Sequence, residues 1–196
     1  VWIQPAAGDA GGAVGAALMA WHHWADMPRE TPLKQGGTDA MHGSYLGPAF
    51  SDADIRDALD AVFDGQAYEG AIPYEYVGLD AIPARTAALL AAGQTVGWFQ
   101  GRMEFGPRAL GHRSILADPR GRDVQRRGNV QIKFRESFRP FAPSVLAERA
   151  GDYFGLKPGD ADAASPYMLL VGPVLGAEIE GVGFDRLQRI RSRVPA

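Results

Sequence analysis

The strongest periodic signal lies just after residue 50, where Ile55, Leu59, Val62 and Phe63 recur at helical spacing behind Ser51 and Asp54, the two ends of a capping box. The spacing predicts an amphipathic helix over residues 52–64. An alanine-rich run at 84–92 stops at Gly93, and Thr95-Val96-Gly97-Trp98-Phe99 behind it has strand composition. Upstream, the small residues from Gly11 to Leu18 predict a helix capped by Asp9 and running to about Trp24. Ser114–Ala117, Pro143–Leu146 and Met168–Val174 are further strand candidates, and a helix is expected near Asp123–Val130. Helices interleaved with short apolar strands imply an α/β (α+β) layered fold.

Between the first two helical segments the pattern fails. Residues 28–50 carry Pro28, Pro32, Gly36, Gly37, Gly43, Gly47 and Pro48 without lasting periodicity, which reads as a linker or surface loop and a domain boundary. Across the chain, 25 glycines and 14 prolines among 196 residues make turns abundant, while 46% hydrophobic and 22% charged residues match a globular domain able to bury about 70% of its unfolded surface. Apolar runs break long before the ~20 residues of a membrane span, so no membrane partner is expected. No basic segment precedes an apolar one at the start of the chain, as a secretory signal would require. The absence of cysteine removes disulfides, thiolate metal sites and cysteine nucleophiles, and fits a cytoplasmic location.

The net charge of −3 hides a local imbalance. Residues 101–150 hold eleven Lys and Arg against five Asp and Glu, an excess of six positive charges, whereas the rest of the chain carries an excess of nine negative ones. A basic island in an acidic chain points to a small anion rather than to a long nucleic acid. Two clusters compose it. In the first, Gly101, Gly106 and Gly111 punctuate Arg102, Arg108 and Arg113, and Pro107 suits a helix start whose N–H groups would join the guanidinium forks around phosphate or carboxyl oxygens. In the second, Lys133, Arg135, Ser137 and Arg139 alternate with Phe134, Glu136, Phe138 and Pro140; an extended backbone would send cations one way and aromatics largely the other. Glu104 reads as a partner for a neighbouring arginine rather than a base. Adjacent His22 and His23 diverge by about 100° on a helix and cannot form an i, i+4 metal pair.

The runs GRMEFGPRALGHRSILADP and KFRESFRPFAPSVL, with PAAGDAGGAVGAAL and YLGPAFSD before them and SPYMLLV after, resemble the NodU/CmcH family of O-carbamoyltransferases over nearly the whole chain. The resemblance implies a helix from an actin-like domain at 1–27, a linker at 28–50, and at 51–196 a YrdC-like twisted open sheet with flanking helices, truncated at its C-terminal end. It further implies ATP and carbamoyl phosphate as ligands, carbamoyl adenylate as product, and a hydroxyl-bearing small molecule as final acceptor in the full-length protein. By the family's motifs, Arg108, Lys133 and Arg139 are the phosphate contacts, the last two assigned to catalysis. Arg102, Arg113, Ser114 and Arg135 stand behind them. Asp9 matches a metal-ligand position, in a family whose divalent metal is iron or magnesium, with the site incomplete here and the metal expected to be absent from this stretch. An exposed sheet edge implies self-association. The alternative from another class is an RNA- or nucleotide-binding module without catalysis, in which Phe134, Phe138 and Phe141 stack on bases; a third is a silent domain whose cations bridge to its own acids.

Overall fold

The computed structural model describes residues 6–29, 41–63, 74–121, 123–155, 167–169 and 171–176. These residues form helices with a small two-stranded antiparallel sheet. The chain divides into two compact units, Val1–Ala87 with Gly97–Ser114, and Ala88–Val96 with Ile115–Ala196.

Helix α1 (Asp9–Met19) continues into a π-helical turn, Ala20–Trp24, so the small-residue run is helical to Trp24 as its composition predicts. Its cap differs from expectation. Gly8 is the N-cap, and Asp9 is the first helical residue, exposed and making no side-chain capping bond. Helix α2 (Asp52–Phe63) begins as the capping box requires: the Ser51 N–H and hydroxyl both donate to Asp54 Oδ2 at 2.8 and 2.7 Å, and the Asp54 N–H donates to Ser51 Oγ at 3.2 Å. Those bonds hold the Asp54 carboxyl below the usual carboxylate range. Helix α3 (Ile82–Ala91) closes with Gly93 in the left-handed region, φ +77°, whose N–H reaches the Leu90 carbonyl at 2.8 Å.

Strands β1 (Val96–Phe99) and β2 (Arg113–Leu116) pair, and the ladder extends to Gln100 N–H donating to the His112 carbonyl at 2.9 Å. In the second unit, helix α4 (Val124–Arg127) runs into a π-helical turn, Gly128–Ile132, matching the helix expected near Asp123–Val130. Two expected strands are replaced. Pro143–Leu146 is irregular, because Pro140 and Pro143 lack the N–H a ladder needs, and a 3-10 turn, Ala147–Arg149, and helix α5 (Ala150–Tyr153) follow. In the segment 168–174, where residue 170 lies outside the described residues, Met168 has φ +54° and the pairing among the described residues is a bridge between Val174 and Phe154.

Burial also departs from the composition-based expectation. Among the described residues the buried apolar side chains are Ala150 and Tyr167, while large ones such as Trp24 (89% exposed) and Phe134 (86%) face outward. The buried polar residues Ser44, Glu104 and Asn129 instead mark where the chain is tightly organised: Ser44 in a 3-10 turn, Glu104 in irregular backbone and Asn129 in the π-helical turn after α4. None of the described helices is long and apolar enough to cross a membrane.

Candidate functional site

The first basic cluster is a loop folded around a carboxylate. Glu104 is 3% exposed, and its Oε1 accepts three backbone N–H bonds, from Leu110 at 2.6 Å, His112 at 2.8 Å and Arg113 at 3.3 Å. Burial alone would raise its pKa, but the three N–H donors outweigh it and hold the carboxyl below the ordinary glutamate value. The other oxygen, Oε2, lies 3.4 Å from Arg113 Nε, close enough for ionic attraction, and accepts no hydrogen bond. The sequence reading of Glu104 as an arginine's partner is therefore correct, and its larger role is to collect main-chain donors.

This arrangement overturns one expectation. No helix starts at Pro107; residues 105–112 are bends and irregular backbone, and the N–H groups of Leu110 and His112 turn inward to Glu104. Gly106 (φ +102°) and Gly111 (φ +106°) make the two reversals, at backbone angles that cost a residue with a side chain about 1–2 kcal/mol.

The arginines of this loop have different fates. Arg102 donates from Nε to the Tyr45 carbonyl and from Nη2 to the Leu46 carbonyl, both at 3.1 Å. Arg113 Nη2 donates to the carbonyl of Gly106, and at 3.5 Å to that of Arg108. Ser114 Oγ accepts the Gly111 N–H at 3.1 Å. The Arg108 guanidinium is exposed and has no hydrogen-bond or ion-pair partner among the described residues.

Residues 44–48 brace the loop from behind. The Phe105 N–H donates to the Ser44 carbonyl at 2.6 Å, Gly47 N–H to the Met103 carbonyl at 2.9 Å, and Met103 N–H to the Pro48 carbonyl at 2.9 Å. The Tyr45 ring stacks on His112 with centroids 3.7 Å apart, and its hydroxyl donates to the Leu110 carbonyl at 3.0 Å. Burial, and then the nearby Glu104 charge, push the Tyr45 phenol up from its usual value.

The second cluster is built on a neutral group. Asn129 is fully buried; its Nδ2 donates to the carbonyls of Arg139 at 2.7 Å and Ser137 at 3.2 Å, and its Oδ1 accepts from Arg135 Nε at 2.7 Å. Gln125 Nε2 adds bonds to the carbonyls of Arg139 and Phe138 at 3.0 and 3.3 Å. The segment is thus a series of turns rather than an extended strand: Lys133 N–H returns to the Gly128 carbonyl, Arg135 N–H to Asn129, and Phe134 takes φ +47°. Cations and aromatics meet instead of parting. Lys133 Nζ lies 5.5 Å and the Arg135 guanidinium carbon 5.0 Å from the Phe141 ring centre. Gly128 backs the same ring, where a Cβ would come within 3.0 Å of Phe141 Cζ.

Arg139 pairs with Glu136 at 3.8 Å, both side chains more than half exposed. The Lys133 ammonium has no hydrogen-bond or ion-pair partner among the described residues. Arg108 belongs to the first unit, and Lys133, Arg135 and Arg139 to the second. Among the described residues no group of three His, Asp or Glu side chains, with Asp9 or without it, could hold a metal ion. Sequence reasoning missed Asn129 and the 44–48 brace; Tyr45, inside a specific motif, was the available hint.

Glu104, Arg102 and Arg113 are thus engaged in holding the loop, while Arg108 stays exposed on it. Comparison with known proteins supplies the class. Residues 87–192 match the family model described as carbamoyltransferase C-terminus, and the chain belongs to that family. It is 48% identical over 204 residues to an uncharacterized protein of Synechocystis sp., with 100% of this chain and 31% of that protein covered. It is similar to nodulation protein NolNO of Sinorhizobium fredii (40% over 202 residues; 99% and 27%) and to nodulation protein NolO of Bradyrhizobium diazoefficiens (39% over 197 residues; 97% and 33%). The chain spans about a third of the length of these relatives.

Proposed function

We propose that this chain is the part of an ATP-dependent O-carbamoyltransferase that binds carbamoyl phosphate and ATP and forms carbamoyl adenylate, for later transfer of the carbamoyl group to a hydroxyl of a small molecule. Family membership supports the carbamoyl group as the cargo. The observation that carries the reading is Arg108, exposed and unpaired among the described residues on a loop whose Arg102 and Arg113 are occupied by the loop's neighbours and its own carbonyls. A planar guanidinium fork fits phosphoryl or carboxyl oxygens bidentately. Lys133, also without an ionic partner among the described residues, supplies a compact charge suited to nucleotide phosphate. Arg139, held weakly by Glu136 at 3.8 Å, can exchange that carboxylate for a phosphate oxygen at little cost. In this reading Arg102, Arg113, Ser114 and Arg135 support the shape of the two clusters, and adenylate formation depends on positioning and charge neutralisation. The YrdC-like and actin-like domain plan belongs to the same proposal.

Calorimetry on the full-length protein with carbamoyl phosphate and with ATP tests it. Arg108→Ala is expected to weaken carbamoyl phosphate binding by about tenfold or more, the scale of a lost charge-assisted contact. Lys133→Ala is expected to weaken ATP. Both variants binding both ligands as tightly as the parent protein would overturn the reading, and a steep loss of RNA affinity with salt would favour the nucleic-acid alternative.

A further inference from the structure

The contacts of Glu104 close the loop that carries Arg108. The three N–H groups on its Oε1 come from Leu110, His112 and Arg113, the far limb of the loop, while Glu104 itself stands on the near limb. One carboxylate oxygen therefore ties the two limbs together. Its second oxygen faces Arg113 Nε at 3.4 Å, and the same guanidinium turns its Nη2 to the carbonyls of Gly106 and Arg108. The path from Glu104 through Arg113 ends on the main chain of Arg108. The outer residues Pro107, Arg108 and Ala109 are exposed and bury no side chain that could hold the turn in place. Without the clasp, flanking glycines in left-handed conformations would leave this turn free to take many shapes.

We infer that Glu104 is a positioning residue for anion binding: acting through the Arg113 guanidinium and the loop N–H groups, it fixes the direction in which Arg108 presents its fork. The inference rests on the proposed role of Arg108. It assigns Glu104 no contact with substrate and no proton transfer. Its buried, partner-rich position explains why an acid lies inside a basic cluster, where a carboxylate open to the ligand would repel it. Preorganisation of this kind appears as ligand affinity, because an arginine already aimed loses less freedom on binding.

The experiment is a mutant cycle on the full-length protein, read by calorimetry with carbamoyl phosphate at a temperature where thermal melts show every variant folded. Glu104→Gln keeps the shape but places an amide beside Arg113 and removes the charge; affinity is expected to fall about tenfold. Arg108→Lys keeps a cation and a measurable affinity, and in that background Glu104→Gln is expected to cost clearly less, since an ammonium has no fork to aim. Arg113→Gln, which removes the strut and leaves the carboxylate, is expected to behave as Glu104→Gln and serves if the latter does not fold. Unchanged affinity in the Glu104 and Arg113 variants, or an equal loss in both backgrounds, overturns the inference. Unchanged affinity in Arg108→Lys and Arg108→Ala defeats the earlier reading instead, so the two failures are distinguishable.

Discussion

The two basic clusters solve the same problem with opposite chemistry. Around residues 104–113 the organiser is an ionised carboxylate, Glu104; around 129–141 it is an uncharged amide, Asn129. Each is buried, each holds three partners, and each leaves a cation unpaired among the described residues, Arg108 in one and Lys133 in the other. A carboxylate only accepts, so it can gather N–H groups alone. An amide both donates and accepts, so Asn129 joins carbonyls to a guanidinium in one step. The difference is that the first loop depends on a charge state, while the second depends on fit.

The sharpest way to break the comparison is to remove the amide. Asn129→Ala loses three side-chain hydrogen bonds at a fully buried position and leaves the Arg135 Nε and two carbonyls without that partner. The expected cost is about 3 kcal/mol, from roughly 1 kcal/mol for each bond. Amide hydrogen exchange should then rise across 129–139 and stay unchanged across 104–113. Equal exchange in the variant and the parent would mean that Asn129 is not the organiser.

Much of this was legible in advance, but only where cause and effect are close in sequence. The Ser51–Asp54 box, the stop at Gly93 and the strands near Val96 and Ser114 follow from local rules, and the structure carries them. The charge count found both clusters, and Glu104 was correctly given to an arginine. What stayed hidden is pairing across distance. Ser44–Pro48 looks like aperiodic linker because its backbone partners are Met103 and Phe105, more than fifty residues away. Asn129 was invisible because an asparagine in a basic segment carries no pattern, and Pro107 misled because its N–H neighbours serve Glu104 rather than a helix. Pro143 misled in the opposite sense, its strand-like neighbours outweighing a missing donor.

Acid should separate the two organisers next. Glu104 has its pKa lowered by folding, so its contribution is fully present above the ordinary value of 4.5 and is lost as pH falls through the lower folded value. The groups facing it, His112 by its backbone, Arg113 and Tyr45, carry no negative charge in this range, so nothing opposes the sign. Hydrogen exchange across residues 104–113 should accelerate as pH drops below about 4.5 after correction for intrinsic rates, while residues 129–139 hold. The second unit has its own acid-sensitive pair, Asp118 with Arg120, where the guanidinium's hydrogen bonds bring the carboxyl to about 2. Arg120 is exposed and Asp118 partly buried, and the pair lies outside the Asn129 network, so it should loosen residues 118–120 between the ordinary aspartate value and about 2. Simultaneous opening of both clusters on acidification would erase the distinction.

The smallest test concerns the ring under Lys133. Phe141 carries Lys133 and Arg135 on its ring and packs against Gly128, yet it remains partly exposed, so each cation–π contact should contribute about 0.5–1 kcal/mol. Phe141→Leu keeps apolar contact with Gly128 and removes the ring's negative face. Arg135 retains its bond to Asn129 Oδ1 at 2.7 Å and should stay in place, whereas Lys133 has no such second tether among the described residues and should lose its preferred direction. The expected result is a loss of stability under about 1 kcal/mol in chemical denaturation and, on the proposed role of Lys133, a larger proportional loss in ATP affinity. If stability falls and ATP affinity does not, the ring is a packing element and Lys133 is aimed by the backbone turn at Gly128 alone.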